Sequence, residues 1–140
     1  MKKNTQNGFS LVELLLVVTI IGIIAAIGVP SLQKGIKSAE NTSTYATLRV
    51  MSSTQLMYFT QNNRFANLTE LNAMQKGGFG TPTATGLTKG RFTFQMTPLA
   101  PTPAELKDGY MITASGRSDV SEIPYVFRVT QTGVIVQVTP

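Results

Sequence analysis

The sequence contains no cysteine and no histidine. The first absence excludes disulfides and thiolate chemistry, the second removes imidazole bases, and together they take away the usual zinc ligands. Catalysis would fall to carboxylates, Lys, Tyr, Ser or Thr, and no nucleophile motif, Gly-rich phosphate loop or catalytic spacing joins them. The chain is therefore not expected to be an enzyme, and neither a catalytic residue nor a cofactor is assigned. Charge is scarce as well: 12 basic and 7 acidic residues give +5, and beyond Lys2 and Lys3 the bases are dispersed from Lys34 to Arg128 without a run. Such dispersal describes a solvated surface and leaves DNA binding possible but weakly supported. Asp108, Asp119 and Glu122 flank turns in the C-terminal region with no acid-rich loop between them, so no metal site is expected.

What is there is a long apolar run. Gly8 to Leu32 reads GFSLVELLLVVTIIGIIAAIGVPSL, and its 21 residues from Phe9 to Val29 carry one charge, Glu13. At about 1.5 Å per residue this helix covers a hydrocarbon core of about 30 Å, which makes it a membrane segment. A carboxylate there costs several kcal/mol unless it is protonated, partnered or near the interface. Lys2 and Lys3 upstream, with no acid beside them, keep that end in the cytoplasm and send the C-terminal bulk across. An ordinary secretory signal is cut on the far side of its apolar run. Here the candidate cut, at Gly8, lies on the near side.

These residues, a short basic leader ending in Gly8, then Phe9, Ser10, Leu11, Val12 and Glu13, then an apolar run with Gly22 and Pro30, resemble the class III signal sequence of type IV pilins and the related type II secretion pseudopilins. The resemblance is specific over roughly the first quarter of the chain and architectural beyond it. It implies cleavage between Gly8 and Phe9 by a prepilin peptidase, N-methylation of Phe9, and extraction of the mature subunit from the inner membrane into a helical filament of identical subunits by an assembly machinery. A type IV pilus subunit is the expectation; a pseudopilin of a periplasmic pseudopilus is the alternative. Many pilins close a C-terminal loop with a disulfide, and this chain departs from them there.

The residues support this on their own terms. A cut chain presents a Phe9 α-amine with a reference pKa near about 8, and on a helix Glu13 lies about 6 Å further along nearly the same face. The amine of the same or a staggered subunit can therefore answer the carboxylate, so Phe9 and Glu13 are the expected assembly pair. Gly22, Gly28 and Pro30 weaken the helix they interrupt, Gly by up to about 1 kcal/mol and Pro by about 3. They are candidates for local melting during assembly; alternatively Gly22 and Ala26 form a small-residue packing face and Pro30 marks the membrane exit.

The expected organisation is a cleaved leader over 1–8, a hydrophobic helix over 9–30, an amphipathic helix over 31–62, and a globular head over 63–140 with an exposed loop at 72–90 and a sheet at 91–139. On the amphipathic part Leu32, Ile36, Ala39, Ala46, Val50 and Met57 share a stripe, widened by Leu48, Met51, Tyr58 and Phe59. Tyr45, Tyr58, Phe59 and Phe65 read as core rather than as an aromatic path. A turn is expected at Asn62-Asn63 and a short helix from Leu68 to Met74. Asn41-Thr42-Ser43 and Asn67-Leu68-Thr69 match a glycosylation pattern too short to carry a role. From Arg91 the period changes to two, with strands marked by Phe92, Phe94 and Met96; Tyr110, Ile112 and Ala114; Tyr125, Phe127 and Val129; and Val134, Val136 and Val138. A hairpin turn joins the last two, and Pro98 to Pro103 must be a connection. The fold expected is α+β: a long N-terminal helix on a roughly four-stranded antiparallel sheet.

Overall fold

The computed structural model describes residues 8–116 and 124–139. Asp119 and Glu122, and most of the leader, lie outside the described residues. The chain forms two compact units, one ending at Ser38 and one beginning at Ala39.

The first unit is the apolar part of helix α1, which spans Leu11–Asn62. An 18-residue window of it reaches a mean hydropathy of 2.7 with none of it buried, so by length and composition it can cross a membrane. The helix continues without a break through Gly22, Gly28 and Pro30. Thr19 turns its hydroxyl back onto the Leu15 carbonyl at 2.7 Å, which removes a lone donor from an otherwise apolar surface.

In the second unit, the Ala39–Asn62 part of α1 lies against an antiparallel sheet. Among the described residues the sheet has six strands: β1 (Thr81–Thr83), β2 (Gly86–Lys89), β3 (Phe92–Met96), β4 (Met111–Gly116), β5 (Val126–Thr130) and β6 (Ile135–Thr139). They follow chain order across the sheet, each antiparallel to the next. Two short helices, α2 (Leu68–Met74) and α3 (Glu105–Asp108), sit in the connections. The core gathers Leu48 and Met51 from α1, Leu71 from α2, Leu106 from α3, and Phe94, Ile112 and Val129 from the sheet. Each such side chain contributes about 1.5–3 kcal/mol by leaving water.

Local chemistry sets the boundaries. α1 stops where Asn63 takes φ 54° and donates its N–H to the Phe59 carbonyl at 2.8 Å, an αL stop at the expected turn. α2 begins with a full capping box: Asn67 accepts from the Glu70 N–H, and the Glu70 carboxylate accepts from the Asn67 N–H. The β5–β6 turn closes with the Gly133 N–H donating to the Thr130 carbonyl at 2.9 Å and Gly133 at φ 74°.

Three expectations are corrected. The sheet has six strands rather than four, because 72–90 is not all loop: β1 and β2 pair as a hairpin in the register Thr81↔Thr88, Pro82↔Leu87, Thr83↔Gly86. A Thr-Pro-Gly composition resembles a loop, yet β1 is an edge strand, where the missing N–H of Pro82 need not break a ladder. Secondly, only part of the expected apolar face of α1 lies in the core: Leu48 and Met51 are buried, whereas Leu32, Ile36, Ala39, Ala46, Val50 and Met57 are exposed. The buried face of α1 is Thr44, Thr47, Leu48, Met51, Ser52, Thr54 and Gln55, and the stripe is exposed. Short polar side chains let the sheet approach the helix closely, which apolar periodicity does not reveal. Thirdly, Val134, Val136 and Val138 are not the inward residues of the last strand. The register Val129↔Ile135 turns Ile135 toward the core and leaves Val134, Val136 and Val138 exposed, and a register shift opposite Val126 and Phe127 breaks the alternation further along, where Gln137 is exposed as well.

Among the described residues the aromatic ring contacts fall into two groups. Phe59, Phe65 and Tyr110 form one, with centroids 4.7 and 4.9 Å apart, whereas Tyr45 meets Phe127 at 6.5 Å in another, so no single path joins the four residues.

Candidate processing and assembly site

At its start α1 is opened by Ser10, whose carbonyl accepts from the Leu14 N–H at 3.2 Å. That closure sets Glu13 in the first turn, near the N–H groups a helix leaves unpaired, a placement worth about 0.3–1 kcal/mol to a carboxylate. Gly8, Phe9 and Glu13 are all exposed, Phe9 at 77%, and Glu13 has no ion-pair partner among the described residues. No side chain comes near Gly8, Gly22 or Gly28. The three residues from which processing and assembly are expected thus lie together at one bare end of α1. Gly22, Gly28 and Pro30 lie apart from them, within the helix; there the Pro30 ring removes the N–H that would pair with the Ala26 carbonyl. From Leu11 to Val29 the surface is a nearly unbroken aliphatic cylinder. In water this would be untenable, so the segment requires lipid or other helices around it.

In the head, two polar constructions went unsignalled by apolar periodicity. The Gln55 amide, fully buried, donates to the Ala66 carbonyl and accepts from the Ala66 N–H, both at 2.8 Å, as a strand neighbour would. It ties the segment after α1 back to the helix. Nearby, Arg64 grips both Glu70 carboxylate oxygens, at 2.9 and 2.5 Å, donates to the Tyr58 hydroxyl at 2.9 Å, and lies 5.2 Å from the centre of the Tyr58 ring. The Arg64 guanidinium is the main reason the Glu70 carboxyl is brought down to about 2. The spacing Asn67-x-x-Glu70 is a signal that could have announced this cap, whereas Gln55 carries none. Asn67, also the start of a glycosylation match, is the cap of α2.

Two open grooves of about 270 Å³ mark the head. One lies among the start of α2, the β1–β2 turn and Leu99 to Pro101; the other among Ala46, Val50, Gln75, Phe79 and Lys89. Among the described residues no three His, Cys, Asp or Glu side chains come together as a metal site would need. Arg64 and Arg91 are engaged with Glu70 and Glu40, which leaves fewer bases for an anionic partner.

Comparison with known proteins agrees with the geometry of the α1 end. Residues 3–29 match the family model described as the prokaryotic N-terminal methylation motif. The chain is similar to the type II secretion system core protein G of Aeromonas hydrophila, 32% identical over 65 residues, which is 46% of either chain. It is similar to the type IV major pilin protein PilA of Myxococcus xanthus, 34% identical over 65 residues, covering 46% of this chain and 30% of that one. The type IV major alpha-pilin of Moraxella bovis is 49% identical over 39 residues, 28% of this chain and 24% of that one. The matched stretch thus spans less than half the length of each of these curated relatives, and no solved structure matches. With the methylation motif at the head of an exposed apolar helix, an antiparallel sheet against that helix's far part, and pilins and a pseudopilin among its relatives, the chain is a type IV pilin-like protein.

Proposed function

We propose that this protein is the structural subunit of a type IV pilus, cut after Gly8 by prepilin peptidase, N-methylated at Phe9, and polymerised through its N-terminal helix. The observation that carries the reading is a bare aliphatic helix whose one carboxylate, Glu13, stands in the first turn beside Gly8 and Phe9. Before assembly the helix spans the inner membrane with its N-terminus in the cytoplasm; after assembly it forms the axis of an extracellular filament. Exchanging lipid for neighbouring helices changes the apolar term little, so association needs a directional contact. The Glu13 carboxylate and a Phe9 amine supply one, since in a dry axis each charge is heavily penalised without the other, and the pair specifies the stagger between subunits. Gly22, Gly28 and Pro30 supply the segment where the helix loosens as the subunit leaves the membrane for the filament.

Intact-mass spectrometry of material sheared from the cell surface tests this. The expected species begins at Phe9 and is heavier by one methyl group, and an uncut chain from Met1 would overturn the processing. Glu13→Ala should abolish or derange filaments while membrane insertion persists; normal filament numbers would sink the pairing. The second reading, a subunit of a short periplasmic pseudopilus, is favoured by the likeness to core protein G. Cleaved, methylated protein found in membranes and absent from sheared material would select it.

A further inference from the structure

Past the apolar run, α1 continues as Pro30-Ser31-Leu32-Gln33-Lys34-Gly35-Ile36-Lys37-Ser38-Ala39, which carries two lysines and no acid before Glu40. The helix is unbroken here, so depth can be measured along it. Lys34 lies five residues beyond Val29, about 7.5 Å along the axis, and Lys37 about 12 Å. A bilayer with a hydrocarbon core of about 30 Å and a total thickness of about 40–45 Å leaves about 5–8 Å for each headgroup layer. When Phe9 to Val29 fills the core, Lys34 therefore stands at the outer edge of the headgroups.

Side chains on a helix lean toward its N-terminus, which here is the membrane side, so the long Lys34 stem carries its ammonium back among the phosphates. Lys37, three residues on, shares that face and leans the same way. Lys34 is exposed, whereas Lys37 is half-buried and has an interaction within the chain. Lys34 thus makes the principal contact, and Lys37 adds positive charge beside it.

We propose that Lys34, with Lys37 beside it, binds the phosphate of anionic phospholipid headgroups in the leaflet on the head's side of the membrane. The inference rests on the membrane-spanning state of the proposed function and names what that state holds besides lipid tails. The occupant follows from position: the surface next to Lys34 at that depth is the phosphate layer itself, and the negative potential of anionic lipid attracts a lysine held there. On the same reading the cut after Gly8 takes away Lys2 and Lys3 at the other end. Lys34 and Lys37 are then the lysines nearest the span, so lysine contacts hold the processed subunit on one side only, the side toward which it leaves.

The sequence has no tryptophan, so Ile27→Trp introduces the only indole. Ile27 is 73% exposed and precedes Lys34 by seven residues, two turns down the same face, where the acyl chains of a lipid bound at Lys34 would lie. The full chain carrying Ile27→Trp is reconstituted in mixed phosphatidylglycerol and phosphatidylcholine vesicles, with the acyl chains of one lipid or the other brominated to quench the indole. Phosphatidylglycerol should be enriched about fivefold beside the indole, the factor for one lysine at an anionic surface. Lys34→Gln should remove the preference and Lys34→Arg should keep it. Equal quenching by the two brominated lipids, or a preference unchanged in the Lys34→Gln/Lys37→Gln variant, overturns the inference. Loss of the preference on adding inorganic phosphate, beyond that caused by chloride at equal ionic strength, would assign the lysines to free phosphate and overturn the lipid as ligand. Chain that alkaline carbonate strips from the vesicles would remove the membrane-spanning state itself; a spanning chain without the preference removes this inference alone.

Discussion

Replacing Gln55 by Leu tests what joins α1 to the rest of the head. The amide is fully buried and gives Ala66 both a donor and an acceptor at 2.8 Å, while Ala66 itself has no exposed surface. Leu fills a similar volume and offers neither bond, so the Ala66 N–H and C=O are left buried and unpaired. Each stranded group costs about 1–3 kcal/mol, and the added apolar burial offsets about 1, which leaves a net loss of about 1–5 kcal/mol. For a unit of this size that corresponds to a fall of about 5–25 °C in Tm. The assay is thermal unfolding of the full chain in detergent micelles, followed by the near-ultraviolet circular dichroism of its four tyrosines. Gln55→Glu adds a second reading. Its carboxylate can accept from the Ala66 N–H but, ionised, cannot donate to the carbonyl, and burial raises its pKa. A raised folded pKa means that the folded form binds more protons, so this variant should gain stability as pH falls. A Gln55→Leu protein within about 0.5 kcal/mol of wild type would refute the reasoning.

Glu70→Gln should cost about 1–2 kcal/mol at neutral pH, a figure reduced for the partial exposure of the pair with Arg64. Because the Glu70 carboxyl falls from 4.5 to about 2 on folding, wild type should hold its full advantage above about pH 4.5 and lose it as pH falls toward 2, as paired Tm measurements against the variant would record. Gly86→Ala would drive a methyl group into the Phe94 carbonyl oxygen across the β2–β3 ladder, and should destabilise the head by more than about 2 kcal/mol in the same melt. Tyr110→Phe removes the hydroxyl that donates to the Ser52 Oγ at 3.1 Å while keeping the ring beside Phe65, and a loss of about 1 kcal/mol is expected.

What could be read in advance follows from how each element is stabilised. The apolar helix, the Asn62-Asn63 stop, the α2 helix and the β5–β6 turn declare themselves through local chemistry: hydropathy, a residue suited to αL, a cap, a glycine at positive φ. Strands β3, β4 and β5 were legible because their inward residues alternate. β6 misled for an instructive reason, since its alternation is as regular as theirs but the valines lie outside, and period two fixes a face without saying which one is buried. β1 and β2 carry too few residues to show a period. On α1 the buried side chains include Thr44, Thr47, Ser52 and Gln55 beside Leu48 and Met51, so apolar periodicity marks the last two of the buried face together with residues that stay exposed. The α1 end differs, because Gly8, Phe9 and Glu13 are set by contiguous sequence, and no tertiary arrangement was needed to find them.

Those two misreadings have one origin. A sequence pattern reports every surface that must avoid water, whether the chain covers it or another molecule does. The stripe through Ala46, Val50 and Met57 and the valines of β6 have the periodicity of a core and the exposure of a surface. Natural monomers seldom keep two such patches, and the apolar part of α1 adds a third that requires lipid or helices. A chain with the apolar part of α1 alone could remain a membrane-anchored monomer. On the filament reading proposed above, α1 lies in a shared apolar axis and the stagger between subunits follows from Glu13. If the exposed head valines take part in packing between subunits, Val136→Lys should reduce filament number while leaving the folding of the head unchanged. Equal filament numbers for that variant and the wild type would show that α1 sets the stagger alone.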